Sequence, residues 1–185
     1  CAKCLSARAL YRTRRGIADP TEEVTLDQLD TSARAVDLAL CGALHPKPED
    51  SAPDGTQTLV LLGPDEPRFW DIFIASPEYC DRQPHPLDRW SKRVVATVSA
   101  PLNGTAIFPY DGPPYAPFLR WAERSGASWS SPIGLLVHRR AGLFISFRAA
   151  LALPVRFDLP AAEVSPCQTC DTRPCETACP VGALA

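Results

Sequence analysis

The stretch Thr58-Leu59-Val60-Leu61-Leu62-Gly63-Pro64 decides the fold class. Leu59 to Leu62 are uninterrupted apolar residues, and Gly63-Pro64 is a stop. Such a run suits a strand covered on both faces, which requires packed layers on either side of a sheet. Both flanks supply helices. Upstream, Thr25 and Gln28 have capping-box spacing, and Leu26, Leu29 and Ala33 recur at helical intervals. Residues 38–43 form a second short apolar strand, followed by the polar, proline-marked loop 45–53. Downstream, Pro67 is suited to the first turn of a helix carrying Phe69, Trp70, Ile72 and Phe73. Pro84 to Pro86 restart the chain, and Leu87, Trp90, Val94 and Val98 then fall on one helical face. A third strand is expected over 105–108. The turn-former Pro109-Tyr110-Asp111-Gly112-Pro113-Pro114 breaks it. Residues 118–124 read as a helix ended by Gly126. Residues 135–138 read as a strand, 139–142 as a turn, and 143–153 as a long strand or strand-helix. Alternating strands and helices over 25–155 argue an α+β core.

Composition bounds what such a chain does. Its 185 residues, 45% hydrophobic, are enough for one domain with a small appendage and a real core. No run of 18 apolar residues is present, so no transmembrane helix is expected. With 19 basic and 21 acidic side chains, the net charge of −2 argues against a protein that coats nucleic acid. Residues 1–24 are expected to be a basic disordered arm, since Lys3, Arg8, Arg12, Arg14 and Arg15 occur with no acid before Asp19. Methionine is absent, so the chain is expected to be a fragment or processed form.

The eight cysteines are unevenly placed. Cys1 and Cys4 open the chain, and Cys41 and Cys80 stand alone. Cys167, Cys170, Cys175 and Cys179 crowd together beyond a linker that begins near residue 156. A disulfide framework would spread more evenly, so the cluster points to a metal centre in a reducing, cytoplasmic setting. The spacing is C-x2-C-x4-C-x3-C-P. A tight C-x2-C turn presents two thiolates with backbone N–H groups nearby, and the proline after Cys179 turns the chain away. The bacterial ferredoxin run is C-x2-C-x2-C-x3-C-P, in which the fourth cysteine serves the other cluster of a pair; here the middle gap is two residues longer, which resembles the ferredoxin-type electron-transfer subunits of large redox enzymes. The expected cofactor is a [4Fe–4S] cluster, one or two in the full-length protein. If Cys179 serves a second cluster, a second cysteine motif should follow. A four-thiolate zinc site is the competing reading of the same residues.

Upstream residues carry a family resemblance. The segment Ala106-Ile-Phe-Pro-Tyr-Asp111-Gly-Pro-Pro, the helix Phe118-Leu-Arg-Trp-Ala-Glu-Arg-Ser-Gly126 and the segment from Gly134 through Gly142 to Leu153 occur in the order found in epoxyqueuosine reductase. Over residues 35–185 the chain resembles that family, and it also resembles the ferredoxin-like proteins of similar shape. The resemblance implies a nitroreductase-like mixed sheet with flanking helices, a C-terminal ferredoxin-type cysteine segment and a bound cobalamin. It further implies that Asp111 is the general acid, partly buried at a strand end. By its residue type alone, Asp111 is a turn-former. The family's lysine-bearing Gly-Trp-Ile-Gly-Lys stretch stands here as Ser-Ser-Pro-Ile-Gly134, which argues against both corrinoid and tRNA.

The expected function is electron transfer through the cluster to or from a redox partner protein, with no membrane. A corrinoid- or flavin-dependent reductase and a zinc-stabilised binding module are the alternatives. His85 and His138 read either as satisfied histidines or as pocket residues. Arg139 and Arg140 read either as a solvated hairpin tip or as a phosphate contact.

Overall fold

A computed structural model describes residues 24–183. Apart from Val24, the expected basic arm lies outside the described residues, as do Cys1 and Cys4. The helices are α1 (Leu26–Arg34), α2 (Phe69–Ile74), α3 (Pro77–Cys80), α4 (Pro86–Ser99), α5 (Phe118–Arg124) and α6 (Pro174–Thr177). The strands are β1 (Leu38–Leu44), β2 (Thr58–Pro64), β3 (Thr105–Ile107), β4 (Ser128–Ser130), β5 (Leu136–His138) and β6 (Ala149–Leu153). Among the described residues no helix is long and apolar enough to cross a membrane.

β2 is central, as its apolar run requires. It pairs with β1 on one side and β6 on the other, in the order β1-β2-β6-β3. Alternate residues of β2 feed two cores. Val60 and Leu62 join Leu29, Phe69, Phe73, Trp90, Val94 and Leu151 on the face covered by α1, α2 and α4. Leu59 and Leu61 join Phe118, Trp121 and Ala150 on the face covered by α5. Burying a side chain of this size contributes roughly 1.5–3 kcal/mol, so the two layers supply most of what orders the chain.

The α+β class is therefore observed, but the sheet is not mixed. Every pairing among the described strands is antiparallel. The reason lies in the return of β6. β2 and β3 both run antiparallel to β6, so they share a direction and are joined by a helical crossover. β6 inserts between them and removes the parallel pairing they would otherwise form. Two further expectations are corrected. Residues 143–153 form a strand only at Ala149–Leu153, because Leu143 and Phe144 are exposed and Phe144 N–H turns back to the Ala141 carbonyl. Pro67 precedes α2 rather than entering its first turn.

β1 is an edge strand, and its free side is covered. A bulge between Leu40 and Gly42 sets Cys41 out of register. Leu40 N–H donates to Asp30 (2.8 Å), and the Leu40 carbonyl accepts from Arg140 (2.9 Å). The Cys41 carbonyl accepts from His138 Nε2 (3.0 Å). The Cys41 thiol is buried, which pushes its pKa up to about 11.

Candidate metal centre

The chain enters the cysteine segment from a fixed point. Phe157 N–H donates to Thr58 Oγ1 (3.0 Å), and the Phe157 carbonyl lies 3.0 Å from His45 Nε2. Glu163 N–H reaches the Gly126 carbonyl (3.3 Å), and the Glu163 side chain pairs with Arg139. Gly126, at φ +68°, leaves room for this crossing, since a Cβ there would stand 2.8 Å from that of Ala162. Residues 157–163 of the expected linker are thus tied to the α+β body.

Ser165 then caps a short turn at Pro166–Gln168, its Oγ accepting Cys167 N–H (3.3 Å). Arg173 takes a left-handed conformation (φ +39°), and Pro174 opens α6. The four-residue gap between Cys170 and Cys175 is used for this reversal. After α6, Ala183 N–H donates to Cys179 Sγ (3.3 Å). Across residues 166–183 the four cysteines are the half-buried side chains, and every other residue is exposed. Cysteine favours burial, but a segment with no core of its own would not by itself select these four positions. Among the described residues no three His, Cys, Asp or Glu side chains converge on one metal position. Cys167 and Cys170 line one cleft, Cys175 and Cys179 do not, and the four sulfurs do not close into a ligand set.

A cleft of about 720 Å³ separates this segment from the body. Ser130, Ser131 and Pro132, at the tip of the β4–β5 hairpin, form one wall; Cys167, Cys170 and Arg173 form part of the other. The hairpin wall belongs to the Ser-Ser-Pro-Ile-Gly134 stretch. β4 has no signature in the sequence, because Ser128–Ser130 has one apolar residue and no legible period.

Asp111 lies elsewhere and does not line this cleft. It is exposed rather than partly buried and pairs with Lys92 (3.0 Å), whose ammonium sits 5.5 and 5.4 Å from the ring centres of Phe108 and Tyr110. Tyr110 donates to the Asp88 carbonyl (2.9 Å), and burial pushes its pKa up. His85 is exposed. Arg139 and Arg140 both have protein partners, Glu163 and the Leu40 carbonyl.

His138 is a satisfied buried histidine. Its Nε2 faces the Cys41 carbonyl, while Nδ1 accepts from Arg140 N–H (3.3 Å) and Ala141 N–H (3.1 Å). That pattern requires the neutral ring, and burial lowers its pKa. The unfolded chain takes up this proton below about pH 6.5, where the folded chain still resists it. Full stability is therefore expected above that pH, with loss as pH falls toward the folded pKa. Urea unfolding at neutral and mildly acidic pH should show this loss, and His138→Gln should reduce it. An unchanged pH dependence in the variant would contradict the assignment.

Comparison with protein-family models, curated proteins and solved structures finds no match to the chain.

Proposed function

We propose that the chain is an iron–sulfur electron-transfer protein in which Cys167, Cys170, Cys175 and Cys179 hold a [4Fe–4S] cluster. The observation that carries this reading is the coincidence of two patterns. The C-x2-C-x4-C-x3-C-P spacing selects four positions, and those are the sheltered positions of an otherwise exposed segment. The donor set suits iron and sulfide, with thiolates on tight turns and a backbone N–H already directed at Cys179 Sγ. When bound, the cluster supplies a one-electron couple. The chain's own residues position it: Pro166 and Pro174 set the two turns, and the Glu163–Arg139 and Glu163–Gly126 contacts fix where the segment leaves the body.

The resemblance to epoxyqueuosine reductase supports reading the α+β body as a nitroreductase-like scaffold that presents this module to a redox partner. Cobalamin is not included, because Ser130 to Gly134 stand where that family has its lysine. The four cysteines of the set are free thiols, whereas Cys80 is disulfide-bonded, so the ligand set rather than the compartment carries this reading. The test is reversible redox behaviour. Protein reconstituted anaerobically with ferrous iron and sulfide should bleach on dithionite reduction and regain its colour on addition of a one-electron acceptor. Retention of zinc, with no bleaching, would overturn the reading.

A further inference from the structure

We propose that Cys80 is bonded to one cysteine of the N-terminal Cys1-Ala2-Lys3-Cys4 pair, and that residues 1–23 are thereby held over an aromatic strip formed by Trp70, Phe73 and Tyr79. The proposal is independent of the iron–sulfur reading. Cys80 is disulfide-bonded, whereas Cys41, Cys167, Cys170, Cys175 and Cys179 are free. The chain has eight cysteines, which leaves Cys1 and Cys4 as the candidates for the partner. Cys80 ends α3, and α3 is clamped in place. Ser76 Oγ caps it by accepting Tyr79 N–H (3.3 Å). Arg89 of α4 forks onto the Asp81 carboxylate (2.8 and 2.7 Å) and donates to the Glu78 carbonyl (2.8 Å). The covalent bond therefore anchors the N-terminal pair at a defined place on the α+β body.

The surface at that place is apolar and open. Trp70 is 56% exposed and Tyr79, the residue before Cys80, is 44% exposed. Their ring centres lie 5.7 and 5.3 Å from that of the buried Phe73, so the three rings are continuous. A contiguous strip of large rings in water marks an interaction surface. Residues 1–23 supply matching chemistry: Leu5, Leu10 and Tyr11 are apolar, and Arg8, Arg12, Arg14 and Arg15 are basic. Arginine stacks on aromatic faces and pairs with carboxylates, and Asp71, beside Trp70, is an exposed carboxylate. Reach is sufficient. The twenty residues from Cys4 to Val24 span up to about 65 Å when extended, against a radius of gyration of about 15 Å for a body of this size. Any other occupant of the strip would have to displace a segment already attached beside it.

Tryptic mapping of the full chain, alkylated without reductant and before exposure to air, tests the bond. Trypsin separates the three cysteines, since Cys1 falls in residues 1–3, Cys4 in 4–8 and Cys80 in 69–82. The 69–82 peptide is expected in disulfide linkage to 1–3 or to 4–8. Alkylated Cys80, or linkage to any other cysteine, would overturn the proposal. Acrylamide quenching of tryptophan fluorescence tests the covering of the strip. Trp90 and Trp121 are fully buried, so Trp70 is the side chain whose access changes most. The quenching constant is expected to rise when the wild type is reduced with dithiothreitol, and equally in Cys80→Ser without reductant. Trp70→Phe should abolish that rise. Unchanged quenching on reduction, with the linked peptide present beforehand, would overturn the docking of residues 1–23 on the strip.

Discussion

Asp50→Ala is expected to lower the unfolding free energy by about 3–5 kcal/mol, the usual cost of removing one member of a buried ion pair. Asp50 is fully buried, and its carboxylate pairs with Arg124 of α5. One carboxylate oxygen also accepts Lys47 N–H (2.7 Å), and the Asp50 carbonyl accepts Trp121 Nε1–H (3.0 Å). Arg124 and Arg120 reach the carbonyls of His45 (3.3 Å) and Glu49 (2.8 Å) in the same connection. The β1–β2 connection is thus stitched onto α5, the helix that covers the second core face. Alanine at position 50 strands the Arg124 guanidinium, and it frees the turn that holds Trp121. Urea denaturation measures the effect. Replacing Arg124 by leucine as well should recover part of the loss, because no buried charge is then left unpaired. A cost below about 1 kcal/mol for Asp50→Ala would place the pair with surface ion pairs and contradict the burial described.

The second large effect concerns the cysteines. Alanine at Cys167, Cys170 or Cys175 is expected to reduce bound iron and sulfide to background after anaerobic reconstitution, since a cluster with an open corner is labile. Cys179 separates two arrangements. Complete loss in Cys179→Ala means that all four sulfurs serve one cluster. Retained iron means that this cysteine serves another. Cys41→Ala is the control: its thiol sits in the β1 bulge with a pKa raised to about 11, so it stays protonated and should not affect iron content. Wild-type iron in the Cys167, Cys170 and Cys175 variants would remove these residues from the centre.

Much of this was legible in the chain because it is local. The Thr25–Gln28 capping box forms as its spacing requires, with Thr25 N–H on Gln28 (2.8 Å) and Gln28 N–H on Thr25 (3.3 Å). Trp90, Val94 and Val98 bury one face of α4 because their period is helical. The cysteine motif could be read because thiolate ligation imposes short, fixed gaps. The rest depends on contacts between distant residues. Asp50 lies in a polar loop that reads as solvated, and only the docking of α5 buries it against Arg124. The apolar residues Leu143 and Phe144 resembled a strand, but the turn at Ala141 and Gly142 sends them outward. Strand content also did not determine strand order, since the insertion of β6 between β2 and β3 is a property of the whole sheet.

The most direct measurement of the central claim is EPR of the dithionite-reduced protein, with iron, zinc and acid-labile sulfide determined on the same anaerobic sample. Equal amounts of iron and sulfide are expected, with a reduced-cluster signal that disappears on oxidation. Stoichiometric zinc without acid-labile sulfide, and no signal on reduction, would contradict it.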